Sequence, residues 1–198
     1  MIHSMCVFCG SSPGGSTSYT DAAQALGEFL AQNQIRLVYG GASVGLMGIL
    51  ADACLNAGGE AVGVIPQSLI DCEIAHHGLT KLHVVDSMHE RKAMMNELSQ
   101  GFISLPGGCG TLEEMFETLT WLQLSIHEKP CGLLNIDNYF ASLIEFFDHM
   151  VEERFLLKEH RNLLAVENDH ASLITAMNHA KPAPPVAKWV DRHIEGRI

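Results

Sequence analysis

The residues of this chain best placed to do chemistry lie in Pro106-Gly107-Gly108-Cys109-Gly110-Thr111-Leu112-Glu113-Glu114. Gly107, Gly108 and Gly110 make a tight turn, and an apolar pattern of helical period follows it. Such a turn can aim backbone N–H groups at an anion, here beside the carboxylates of Glu113 and Glu114. A second reading fits equally well. Thr111 followed three residues on by Glu114 has the spacing of a capping box, in which the threonine accepts from the third helical amide and the glutamate reaches back. On spacing alone, a phosphate loop with a catalytic acid and a capped helix stand level.

Two further glycine-rich turns follow strand-like runs. They are Cys9-Gly10-Ser11-Ser12-Pro13-Gly14-Gly15 and Tyr39-Gly40-Gly41-Ala42-Ser43-Val44-Gly45-Leu46-Met47-Gly48. In open parallel α/β sheets, ligands bind outside the carboxyl ends of the strands. Three such turns at one end of a sheet therefore point to a phosphate-bearing ligand, where one alone would not. None of them spells G-x-G-x-x-G or G-x-x-x-x-G-K-[ST], which argues against a dinucleotide and an NTP loop. Upstream, Ser87-Met88-His89-Glu90-Arg91-Lys92 opens a helix with two cations in its first turn, where the helix dipole disfavours them. A solvated surface pair is the plain reading. If the strand before them neighbours the strand at 102–105, a cation there could instead meet a phosphate or hold Glu114.

These residues need a scaffold, and the chain supplies an alternating one. Short apolar runs fall at 4–9, 36–39, 61–65, 82–85, 102–105, 131–134 and, more weakly, 163–166. Amphipathic helical segments fall at 19–33, 44–57, 88–98, 112–126, 139–153 and about 170–180. Strands separated by helices predict a Rossmann-like α/β three-layer sandwich, with a mostly parallel sheet of about seven strands and helices on both faces. Residues 1–180 are expected to form one nucleotide-binding catalytic domain. Pro182, Pro184 and Pro185 rule out a regular helix in the tail at 181–198.

The net charge of −11 disfavours DNA, RNA and anionic membranes as partners, although a few amides and one arginine can still hold a small phosphate locally. No apolar run approaches the ~20 residues of a membrane span. The first residues lack the basic region and cleavage site of a signal peptide, so reduced thiols in the cytoplasm are expected for the six cysteines. Cys6-Val7-Phe8-Cys9 is formally C-x-x-C, but no second pair completes a zinc set, and strand packing is the expected role. His76 and His77 read as loop or surface residues. No metal site and no cofactor are expected.

The nine residues at 106–114 match the PGGxGTxxE motif of the LOG (Lonely Guy) family, and Met88-His89-Glu90-Arg91-Lys92-Ala93-Met94-Met95 resembles that family's arginine motif. The resemblance extends through Cys9-Gly10-Ser11-Ser12, Val38-Tyr39-Gly40-Gly41, Val44-Gly45-Leu46-Met47-Gly48, Glu73-Ile74-Ala75-His76, Trp121, Gln123-Leu124-Ser125-Ile126-His127 and Lys129-Pro130. It implies a homodimer with a Rossmann-like fold that hydrolyses the N-glycosidic bond of AMP or N6-modified AMP, releasing free base and ribose 5-phosphate. By the same resemblance Arg91 and Glu114 form the catalytic pair. Gly107, Gly108, Gly110 and Thr111 bind phosphate, with Ser12 and Gly41 as additions. Glu113 contacts the ribose or supports Glu114, and Lys92 and Met95 lie nearer the base. Relatives are often labelled lysine decarboxylases, yet nothing in the chain marks a pyridoxal-phosphate lysine.

The chain departs from many relatives at Gln100, at Ala42 after Gly40-Gly41, at His77 and at Lys81. These departures leave the motif intact and put the base preference in doubt. Rival readings are a broader nucleoside-monophosphate nucleosidase, a non-catalytic nucleotide sensor, and a phosphosugar or molybdenum-cofactor carrier.

Overall fold

Short, largely apolar runs build the sheet, the inner ones buried on both faces, and each hands over to a helical segment. The computed structural model describes residues 1–70 and 75–180. In chain order it contains β1 (Ser4–Phe8), α1 (Thr17–Gln32), β2 (Arg36–Tyr39), α2 (Gly45–Asn56), β3 (Ala61–Pro66) and a short α3 (Gln67–Ile70). Then come β4 (Lys81–Val85), α4 (Met88–Leu98), β5 (Gly101–Ser104), α5 (Cys109–Gln123) and β6 (Cys131–Leu134). A 3-10 turn (Ile136–Asn138), α6 (Ala141–Glu152), α7 (Lys158–Arg161), β7 (Leu164–Glu167) and α8 (His170–Asn178) complete the order. Glu73-Ile74, part of the family resemblance, and the tail at 181–198 lie outside the described residues.

The seven strands pair in the order β4-β3-β2-β1-β5-β6-β7, and every pairing is parallel. Alternate side chains of one strand feed two cores. Met5, Val7, Leu37, Tyr39 and Ile103 pack with α1, α2 and α8 on one face. Cys6, Phe8, Val38, Phe102 and Leu133 pack with α4, α5 and α6 on the other. Strands covered on both sides read as continuous apolar runs, which is why their positions were legible. Side chains cap three of the helices: Ser16 accepts from the Ser18 amide, Ser87 from Glu90 and Asp169 from Ser172.

The order of the strands reverses at β1 and β5. From β1 the chain winds outward to β4, then returns to β5 and winds the other way. The crevice at such a switch point is where open α/β sheets bind ligands. Here the turns after β1 and β5 lie side by side, joined by a hydrogen bond of 3.1 Å from the Gly10 N–H to the Pro106 carbonyl. The second turn joins them too, because the Leu46 N–H donates to the Gly10 carbonyl at 3.0 Å.

Two expectations are corrected. The strand before Arg91 does not neighbour β5. β4 sits at the sheet edge beside β3, with β3, β2 and β1 between it and β5. Arg91 still approaches the glycine turns, because α4 crosses the sheet face over β4, β3, β2 and β1. The capping box at Thr111 and Glu114 is also absent. α5 starts at Cys109 with Gly108 at its cap position and no side-chain cap bond. The glycine run lets the backbone turn into the helix early, which places Thr111 inside the first turn.

Candidate active site

Arg91 is the buried cation around which the site is built; only 6% of it is exposed. Its Nε donates to the Val64 carbonyl at 3.1 Å and its Nη1 lies 3.7 Å from the Met88 sulfur. Nη2 stands 3.7 Å from Glu114 Oε1, an ionic contact longer than a hydrogen bond. The guanidinium fits because residue 40 is glycine: a Cβ there would collide with Nη2.

Glu114 projects from α5 one turn past the glycine run. It lines a cavity of about 370 Å³ with Arg91, Glu113, Gly108, Gly110 and Thr111. The first intrahelical bond of α5 runs from the Leu112 N–H to the Gly108 carbonyl at 3.2 Å. The amides of Cys109, Gly110 and Thr111 precede it and belong to the unsatisfied donors of a helix start, suited to an anion. Thr111 is buried with its side chain against Gly107, where a Cβ would collide with it.

The remaining expected residues divide. Ser12 and Gly107 line an adjoining cavity of about 310 Å³, which shares Gly10, Ser11 and Gly108 with the first. Gly41 lines neither. It has a left-handed φ of 82°, and its carbonyl accepts from the His76 N–H at 2.9 Å. Lys92 also lines neither cavity, and its Nζ bonds Glu113 Oε1 at 2.6 Å and Glu117 Oε1 at 3.0 Å. Burial alone would depress the Lys92 ammonium; its hydrogen bonds and proximity to Glu113 and Glu117 outweigh that and raise its pKa. Met95 is buried in the core beside Cys6, Phe8 and Val38, a turn beyond Arg91 on the same face of α4.

Sequence reading missed several residues at the site. Gly10, Ser11, Gly40, Met47, Leu69 and Met88 line the main cavity. Gly45 holds the turns together: at φ 58° a Cβ would strike the Ser11 backbone. The glycines of all three turns were the available signal, but which of them face the cavity depends on how the turns nest.

The cysteines and histidines settle into structural places. Cys6 and Cys9 belong to opposite cores of the sheet, so they do not form a thiol pair. Burial pushes both thiols up, and the nearby Glu114 carboxylate adds to that rise. His76 and His77 both lie in a loop as expected, but His76 is buried there while His77 is exposed. The Gly78 N–H donates to His76 Nδ1 at 3.1 Å, so Nε2 carries the proton and donates to Asp52 Oδ1 at 3.0 Å.

A family model described as "possible lysine decarboxylase" matches residues 47–177. The cytokinin riboside 5′-monophosphate phosphoribohydrolase of Rhodococcoides fascians is 50% identical over 175 residues, covering 88% of each chain. The chain belongs to the LOG family. An Arabidopsis thaliana protein named cytokinin riboside 5′-monophosphate phosphoribohydrolase is 46% identical over 178 residues, covering 90% of this chain and 84% of the relative. Among solved structures, the molybdenum cofactor carrier protein of Chlamydomonas reinhardtii superposes with a TM-score of 0.68 at 21% identity, covering 89% of this chain and 96% of the carrier. At that identity the likeness is one of fold alone. The family's decarboxylase description does not fit the donors of this LOG-family cavity. Among the described residues no lysine lines it, and Lys92, the nearest in sequence to Arg91, is engaged by two carboxylates.

Proposed function

We propose that the protein hydrolyses the N-glycosidic bond of AMP or of N6-substituted AMP, releasing free base and ribose 5-phosphate. The observation that carries the reading is the meeting of Arg91 and Glu114, from separate helices, on the wall of a cavity bounded by the glycine turns. Membership of the LOG family supports it, since the similar proteins from R. fascians and A. thaliana bear the phosphoribohydrolase name.

In this reading the amides at the start of α5, with Thr111, Gly108 and Gly110, hold the 5′-phosphate. Glu114 lies three residues further along, about 5 Å on a helix, which sets its carboxylate beside the ribose. Breaking the bond at C1′ builds positive charge on the sugar, as in other glycoside hydrolyses. The Glu114 carboxylate stabilises that charge and orients water; Arg91 keeps the carboxylate in place. Water supplies a hydroxyl to C1′ and a proton to the departing base nitrogen. Glu113 supports the ribose side, and Ser12 adds to the phosphate side. No cofactor is required for these steps.

The reading includes a homodimer in the cytoplasm, with residues 1–180 as its catalytic unit. Leu124 and Ile126 at the end of α5 and Phe155 after α6 expose apolar area that a second copy would cover. The five described cysteines are free thiols, which suits a reducing compartment. A panel of AMP, N6-isopentenyl-AMP, GMP and CMP, assayed for free base, tests the reading. Adenine-type bases are expected to be released fastest. Binding of AMP with no base released would instead favour a nucleotide sensor.

A further inference from the structure

The structure assigns Tyr139 as a positioning residue that orients the phosphate turn, an inference that rests on the function proposed above. Tyr139 precedes α6 and is 32 residues from the turn it touches. Its hydroxyl donates to the Gly107 carbonyl at 2.6 Å. The carbonyl and N–H of one trans peptide point in opposite directions. Pinning the Gly107 oxygen on the Tyr139 side therefore turns the Gly108 N–H the other way. Tyr139 lines the adjoining cavity, Glu114 lines the main one, and Gly108 borders both. Because Gly108 borders both cavities, an N–H turned away from Tyr139 is assigned to the main cavity, where the phosphate is proposed to sit. The preceding peptide is pinned in the same manner, because the Pro106 carbonyl accepts from the Gly10 N–H.

The surroundings of Tyr139 hold it in place. Asp137 and Asn138, the two residues before it, both adopt left-handed conformations, at φ 49° and 59°. Aspartate and asparagine tolerate that region better than other side chains, yet two in succession need support. Ser18 at the start of α1 supplies it by donating to Asp137 Oδ2 at 2.5 Å. The Tyr139 ring meets Tyr19 edge-on at 5.7 Å between centroids and Phe140 at 4.9 Å. Tyr19 in turn packs on Gly14, where a Cβ would come within 2.7 Å of its ring. The turn after β1 and the turn after β5 are thus tied a second time, through two tyrosines, on the side away from Glu114.

Tyr139→Phe in the full chain tests this, because it keeps the ring and removes only the hydroxyl. Three quantities are read: KM for AMP, kcat, and competitive inhibition by ribose 5-phosphate. Loss of one orienting hydrogen bond is expected to raise KM and the inhibition constant together by roughly tenfold. The rate kcat is expected to stay within about twofold, because Glu114 and Arg91 are untouched. Ser18→Ala loosens the turn without touching either cavity, so it is expected to move both constants the same way by a smaller factor. It carries the test if the phenylalanine variant does not fold. Unchanged constants in the variants, or a fall in kcat at constant KM, would overturn the proposal. If the unaltered protein releases no base and ribose 5-phosphate does not bind, the functional reading fails first and takes this inference with it.

Discussion

Two cations of α4, adjacent in sequence, pair with carboxylates of α5 to opposite ends. Lys92 on α4 reaches two carboxylates of α5 at 2.6 and 3.0 Å. Arg91 beside it stands 3.7 Å from Glu114, while its Nε is committed to the Val64 carbonyl. Lys92 itself lies outside the cavity, and it ties Glu113 on the cavity wall to Glu117 behind it. The Arg91 pair lines the cavity, and its spacing leaves room for charge to develop on a substrate. The contrast separates a strut that ties two helices together from a pair that, in the proposed function, works between them.

The comparison can be broken most severely at Glu114. Glu114→Gln is expected to lower base release by at least ~1,000-fold, the scale of losing a principal transition-state stabiliser, with little change in melting. Near-normal turnover would remove Glu114 from the chemistry. Arg91→Ala is expected to cost about 100-fold in activity, and Arg91→Lys should not restore it, since lysine lacks the fork that serves Val64 and faces Glu114 together. Gly40→Ala leaves both charged residues in place but drives a Cβ into Nη2 of Arg91. It is expected to reproduce a large part of the Arg91→Ala defect, and normal activity would show that the guanidinium position is not critical.

The other side of the contrast calls for a stability measurement. Lys92→Met keeps the aliphatic stem and removes the strut, so it should lower unfolding free energy by about 1–2 kcal/mol while kcat stays within a fewfold. A collapse in kcat at unchanged stability would place Lys92 in the site instead.

The smallest effect concerns pH. The Lys129 N–H donates to His127 Nδ1 at 3.1 Å, so Nε2 donates to the Thr118 carbonyl at 3.0 Å. Burial and then the Lys129 charge hold the His127 pKa below its ordinary value. Below an unfolded-state pKa of about 6.5 the unfolded chain binds the extra proton and the folded one resists it, so stability should fall with pH. Urea unfolding from pH ~7 down to ~5 checks this, and His127→Gln should flatten part of the slope.

How much of this was legible depended on range. The inner strands could be read because burial on both faces makes β1, β3, β5 and β6 nearly unbroken apolar runs, while the edge strand β4 is half exposed and carries Lys81 and His83. Arg91 and Met95, four residues apart, share one face of α4, and the resemblance placed both at the site. That face passes from cavity to core within one turn, so Met95 ended in packing, and spacing alone could not show where the boundary falls. The capping box failed for a local reason. Ser87 and Glu90 have the same spacing as Thr111 and Glu114, and there Ser87 accepts from the Glu90 amide while Glu90 accepts from Asp86. Which pair caps is fixed by where each helix starts, and the glycine run moved that start for α5. Tyr139 left no trace as a site residue, because its contact spans distant parts of the chain. Only the adjacent Asp137-Asn138 pair, suited to left-handed turns, hinted at an unusual approach.

The central claim is that the cavity at the β1 and β5 turns cleaves a base from a 5′-phosphorylated ribose. Product analysis tests it most directly. With N6-isopentenyl-AMP the account predicts equal amounts of free base and ribose 5-phosphate, and much slower release of base from the nucleoside lacking phosphate. Nucleoside plus inorganic phosphate as products, or equal turnover without the 5′-phosphate, would contradict it.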